Sequence, residues 1–336
     1  MSLVWLHRFV QRTHPLVPPG LLLGLLSLIF GVFTLNSVGG IVRMDTTEQQ
    51  FLGTLVLFIL LPSYLLAMLI YAWRGTETAL VQLEPLIPQD NVTCINALAR
   101  VDIGLKRLRP ISWLYIGLGV SLGIYQSSRY TVTHFFETGL LNLMDAGYVL
   151  GNMVVLMFAV MWVCWRLPVS IAFLKLGREL NIDLYRLDRA QALTRMATTD
   201  FLTAAGGMAF MALQSLDAEF RLQNYVAGIA IGLPAGLVLM GLPVWGLHEK
   251  IVLLKRQRLA ALYSQIEEIM SATNSDSATD EDIVRLEAVT AHTARIRSMT
   301  SWPINLRLIT RIFAYGVIPP LAWVGAALVE NVVDSW

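Results

Sequence analysis

The feature that most constrains this chain is a series of apolar runs, each long enough to cross a bilayer. A helix needs about 20 mostly apolar residues to span the hydrocarbon core. Val17–Val42, Phe51–Trp73, Ile111–Ser127, Gly147–Trp165, Tyr225–Leu247 and Leu308–Val329 meet that length and character. A weaker run, Phe201–Leu216, is short, contains Gly206 and Gly207, and is flanked by Asp200 and Asp217. Backbone N–H and C=O groups in hydrocarbon must be paired within the spanning segment itself. The expected fold is therefore all-α, a polytopic transmembrane helical bundle of about seven spans.

Charge placement orients the bundle and decides the weak run. If Phe201–Leu216 spans and the N-terminus is inside, the outer segments hold only Arg43, Arg129 and Arg221 of the 25 Lys and Arg. That is a strong positive-inside bias. Without this span, Lys250, Lys255, Arg256 and Arg258 after Tyr225–Leu247 would face outward. The expectation is N-terminus in, C-terminus out, in an inner (plasma) membrane. No A-x-A-type cleavage site follows the first run, which reads as the first membrane helix.

The expected organisation follows from these runs. Residues 1–16 form an interfacial helix mixing Trp5, Leu6 and Phe9 with Arg8 and Arg12. Residues 17–247 hold six spans with long inner loops at 74–110 and 166–197 that look helical. Residues 248–304 add inner helices around a flexible linker at 271–282, and 305–336 carry the last span and the outer C-terminus. Leu259, Leu262, Ile266 and Ile269 are spaced 3, 4, 3, a heptad-like stripe. Asp280 can cap a following helix that runs to about Met299, and Trp302–Pro303 breaks the chain before the last span. Several membrane helices thus extend into a cytoplasmic helical layer.

Composition narrows the functional classes. Charged residues make up 15% of the chain and hydrophobic ones 55%, where soluble domains average about 25% charged. The net charge of +1 argues against a nucleic-acid partner, and the bilayer is the expected one. Cys94 and Cys164 lie far apart and suggest neither a disulfide framework nor a metal pair. The five histidines are scattered, with no H-E-x-x-H pair. Gly119-Val-Ser121-Leu-Gly123 spells a hydrolase nucleophile motif, but it lies inside an apolar run and not at a strand-to-helix turn. Small residues packing helices explain it. No catalytic residues, metal ligands or cofactors are expected. Ionisable residues are nearly absent from mid-span, unlike in proton- or ion-coupled carriers and voltage sensors.

Three groups of residues stand out. Gly228, Gly232 and Gly236 form a ladder on one helix face, where another backbone can approach closely. That suits either a subunit interface or ordinary packing within one subunit. In the last run, Pro319 and Pro320 free backbone carbonyls, with Gly325 and Glu330 beyond them, a pattern suited to a hinge or path. Tyr64, Tyr125, Tyr148 and Trp323 are loose candidates for a ligand pocket in the outer halves of the spans.

Two resemblances add to this reading. The stretch Leu242, Pro243, Trp245, His248, Glu249 and Ile251, with Asn181, Asp183, Trp302, Pro303, Arg311, Tyr315, Ile318, Pro319 and Trp323, resembles a loosely defined group of uncharacterised bacterial inner-membrane proteins. It implies no established activity. In architecture, the seven spans, the inward N-terminus, the cytoplasmic layer and the broken last helix are similar to insect gustatory and odorant receptors. Those are tetrameric ligand-gated cation channels whose last helix lines the pore, and Tyr315 corresponds loosely to a tyrosine of their signature. Fold-level likeness does not establish function. The leading expectation is a homo-oligomeric channel or channel-like, ligand-gated receptor. The alternatives are a non-conducting scaffold whose stripe at Leu259–Ile269 docks a cytoplasmic protein, and an uncoupled carrier of a neutral or lipid-like solute.

Overall fold

The computed structural model describes residues 14–37, 52–87, 113–128, 143–216, 222–273 and 280–303, with 310 and 314. The described residues are helical, with no strand among them. Helix α1 is Val17–Ser37 and α2 is Leu52–Leu83, closed by a 3-10 turn at Glu84–Leu86. Residues 113–128 form α3. Helix α4 is Leu143–Glu179, α5 is Gln191–Ala209, α6 is Leu222–Thr273 and α7 is Asp280–Ser298. Helix α5 tightens into a 3-10 segment at Phe210–Leu216.

Among the described residues three helical stretches are long and apolar enough to cross a membrane: Gly53–Leu86, Ala146–Glu179 and Gly232–Ser271. All three outrun the hydrocarbon core. At about 1.5 Å per residue, the 52 residues of α6 reach roughly 78 Å, against about 30 Å of core. Its sequence changes accordingly, from apolar up to Leu247 to charged from His248 onward. Within α1 a shorter apolar stretch, Val17–Val32, stands out.

The helices pack around apolar clusters. Leu26, Phe30, Phe58, Leu61 and Val155 join α1, α2 and α4. Leu69, Met161, Trp162, Ala204 and Leu239 join α2, α4, α5 and α6. The largest cluster brings Leu83, Phe173, Leu193 and Leu247 together with Leu180 and Ile182 of the chain between α4 and α5. That connection is not helical throughout. Ile182 and Leu184 are buried, Asn181 N–H donates to the Leu86 carbonyl at 2.8 Å, and Asp183 Oδ1 accepts from Tyr185 N–H at 3.0 Å. The expected helical character of 166–197 holds for α4, for a 3-10 turn at Leu187–Ala190 and for α5; anchoring of the intervening residues breaks it.

Two close crossings set the helix geometry. A Cβ at Gly246 would collide with the Leu174 carbonyl, and one at Gly177 would lie 2.9 Å from Leu247 N, so α4 and α6 meet backbone to backbone. Gly119 and Gly123 press α3 onto the backbone of α4 at Met157 and Met153. The G-x-S-x-G spelling is a packing face, and its Ser121 is exposed.

Helix α7 folds back on the charged half of α6. Leu259, Leu262 and Ile266 are half-buried and Ile269 is buried. On α7, Leu286, Val289, Thr293 and Ile296 are shielded at the matching 3, 4, 3 spacing. This is the repeat of a coiled-coil seam. The half of α6 that carries the stripe lies against the chain's own α7. The linker expected at 271–282 is shorter at both ends, because α6 continues to Thr273 and α7 begins at Asp280; residues 274–279 lie outside the described set.

Candidate functional site

The most unusual chemistry in the fold lies where α2, α4 and α5 meet. Arg166 follows the apolar run of α4, and Asp200 precedes Phe201 on α5. Read one by one, each looks like a solvated helix end. Folding brings them together: Arg166 Nε donates to Asp200 Oδ1 at 2.6 Å, and Nη2 donates to Oδ2 at 2.8 Å. The side chains are 3% and 0% exposed. Nη1 donates to Thr76 Oγ1 at 2.9 Å, and that hydroxyl in turn donates to the Ala72 carbonyl at 2.8 Å. Three helices are thus tied by one guanidinium, whose planar fork suits the two-point carboxylate contact.

The pair lies between apolar layers, with the Leu69–Trp162–Ala204 cluster on one side and the Leu83–Phe173–Leu193 cluster on the other. In such surroundings a lone charge is costly, and removing one partner of a buried pair typically costs about 3–5 kcal/mol. Both carboxylate oxygens are engaged by Arg166. The arrangement is built to lock three helices in register.

A second polar cluster joins α6 to the chain after α7. His248 Nδ1 lies 2.9 Å from the Ser301 carbonyl, and a carbonyl only accepts, so Nδ1 carries the proton. The His248 ring stacks on Trp302 at 4.1 Å between centroids, and Trp302 meets Trp245 edge-on at 6.1 Å. Trp245 Nε1 donates to Glu249 Oε1 at 2.7 Å, and Arg178 of α4 donates to the other carboxylate oxygen. Lys255 Nζ donates to the Arg297 and Met299 carbonyls at 2.8 and 2.7 Å, capping the C-terminal end of α7 with a positive charge. Tyr185, between α4 and α5, reaches His292 of α7 at 3.0 Å.

The residues singled out from the sequence scatter across the fold. A Cβ at Gly232 would touch the Met208 side chain at 3.1 Å, and one at Gly236 would press on Ala204 Cβ at 2.7 Å. That part of the ladder seats α6 on α5 within one subunit; Gly228 lies in α6, and its surroundings fall outside the described residues. Tyr64 Oη donates to the Leu202 and Thr203 carbonyls at 3.3 Å each, and its ring packs on Phe210. Tyr148 packs on Phe58, so Tyr64 and Tyr148 share one apolar cluster. Tyr125, 61% exposed on α3, is not part of it. Trp323, Pro319, Pro320, Gly325 and Glu330 lie outside the described residues. Asn152 Nδ2 donates to the Tyr148 carbonyl of its own helix at 3.1 Å.

Sequence reasoning missed Thr76, Arg166 and Asp200. The available signal was a basic residue ending one apolar run and an acidic residue opening the next.

Among the described residues, the fold is helical, with three helices long and apolar enough to cross a membrane and a buried ion pair binding helices together. No family model, curated protein or solved structure matches the chain.

Proposed function

We propose that the chain is a seven-span inner-membrane protein, N-terminus in and C-terminus out, that assembles with copies of itself into a channel or channel-like receptor. The final apolar run, Leu308–Val329, lines the path. The observation that carries this reading is the coupling between α6 and α7. One helix runs unbroken from apolar sequence into the charged hairpin, and α7 is clamped to it through Lys255, His248 and the apolar seam. The chain leaves that clamp at Trp302–Pro303 and enters the last apolar run within a few residues. A displacement of α6 or α7 would therefore move the start of the last helix. The scarcity of mid-span charge supports a passive path over a coupled carrier.

A second reading, the non-conducting scaffold, is favoured by one observation. Leu253, Tyr263 and Met270 are exposed on the charged half of α6, and Ile283 and Val284 are exposed on α7. In the first reading these side chains meet neighbouring subunits; in the second they meet a cytoplasmic protein.

Native mass spectrometry from nanodiscs, followed by ion flux in liposomes, separates them. A closed ring with conductance is the expected result. A monomer, or a ring without conductance, overturns the channel reading.

A further inference from the structure

Arg166 stands in the middle of a row on α4. Trp162 is one turn before it and Ser170 one turn after, and four-residue spacing stacks the three on one helix face. Trp162 is 4% exposed and Ser170 0%. Among the described residues, neither Trp162 Nε1 nor Ser170 Oγ has a hydrogen-bond partner.

Ser170, like Thr194 of α5, lacks the bond that three nearby buried threonines make. The buried hydroxyls of Thr76, Thr198 and Thr203 each donate to the carbonyl four residues back, the usual outlet for a hydroxyl inside a helix. A buried donor without a partner bears the full cost of leaving water, and native interiors satisfy such groups with ordered water where other polar groups are within reach. Arg166 stands one turn along α4 from each of the two, and Asp200 is bound to Arg166. The guanidinium has more N–H donors than its three bonds use, and each Asp200 oxygen keeps a further lone pair. Trp162 packs in one cluster with Ala204, one turn from Asp200 on α5.

We infer that this row is a hydration site. Ordered water bridges Trp162 Nε1 to the Asp200 carboxylate on one side of the pair, and Ser170 Oγ to the Arg166 guanidinium on the other. The ion pair is then a wet joint. Water then completes the hydrogen bonds of Trp162 and Ser170 while the bidentate pair keeps α2, α4 and α5 in register. This goes beyond the channel reading and stands without it.

The test is X-ray hydroxyl-radical footprinting of the full chain in lipid nanodiscs. Radicals form at bound water, so Trp162 is expected to oxidise at a rate comparable to that of Trp245, which is 50% exposed. An unmodified Trp162 beside a labelled Trp245 overturns the proposal. Ser170→Ala gives an independent sign. In a dry site, deleting an unpaired hydroxyl leaves stability unchanged or raises it. In a hydrated site it removes a water anchor and lowers the thermal midpoint by a few degrees. A midpoint that stays or rises overturns the proposal. Neither readout depends on oligomeric state, so a monomer with labelled Trp162 would refute the channel and keep the hydrated row.

Discussion

The layer joining α2, α4 and α5 and the hairpin of α6 and α7 are both helix contacts, but they are held by opposite means. In the layer, a buried guanidinium fixes three helices through directional bonds, and no part can be removed without stranding another. In the hairpin, a stripe at 3, 4, 3 spacing supplies the contact, and its charges act at the surface on backbone carbonyls. A polar lock is all-or-none, because desolvation is charged to whichever partner remains. An apolar seam is graded, because each side chain contributes in proportion to the area it buries.

The largest effect should follow from breaking the lock. Asp200→Ala leaves Arg166 buried and unpaired and should cost about 3–5 kcal/mol, read as a lowered unfolding midpoint in detergent. Pairing Asp200→Leu with Arg166→Met should recover most of that loss, because a well-packed apolar replacement of an ion pair is often neutral or better. A double variant as unstable as the single one would show that the layer depends on hydrogen-bond geometry and not on charge pairing.

That layer was poorly legible in the sequence. Arg166 and Asp200 are 34 residues apart, and Thr76 is 90 from Arg166. Each sits beside an apolar run, where a solvated helix end is the usual reading. Nothing local tells a solvated end from a buried one, since burial is decided by which helices become neighbours. The hairpin was more legible. Its stripe follows helical periodicity, and the expected helix from Asp280 to about Met299 appears as Asp280–Ser298. The periodicity announced an apolar face but could not say that α7 would lie against that half of α6. The glycine ladder was similar: spacing placed three glycines on one face, and only the packing put Met208 and Ala204 against Gly232 and Gly236.

Smaller effects sharpen the contrast. Gly246→Leu places a side chain where α4 and α6 meet backbone to backbone, and overpacking of this kind typically costs about 1–3 kcal/mol. Hydrogen exchange should rise along both helices; a change confined to one would mean that the crossing carries little load. Ile269→Ala in the hairpin should cost about 2 kcal/mol, the low end for a buried aliphatic side chain, with faster exchange in α7 and none in α5. Exchange that also rises in α5 would show the two regions to be one cooperative unit. The smallest effect belongs to Lys255→Met, which removes a cation from the C-terminal end of α7 and should cost up to about 1 kcal/mol, weakening as salt is raised.

The sequence by itself determined that this chain is helical and that several stretches are too apolar and too long for an ordinary soluble surface. Both follow from local quantities, the length of apolar runs and the period of the stripes. The tertiary structure decided which polar residues share an interior. It joined Thr76, Arg166 and Asp200, turned α7 onto the charged half of α6, and brought Trp302 to His248. Those outcomes depend on which helices become neighbours. A buried charge tolerates one partner geometry and few others, so the pairing exists only once the helices have packed.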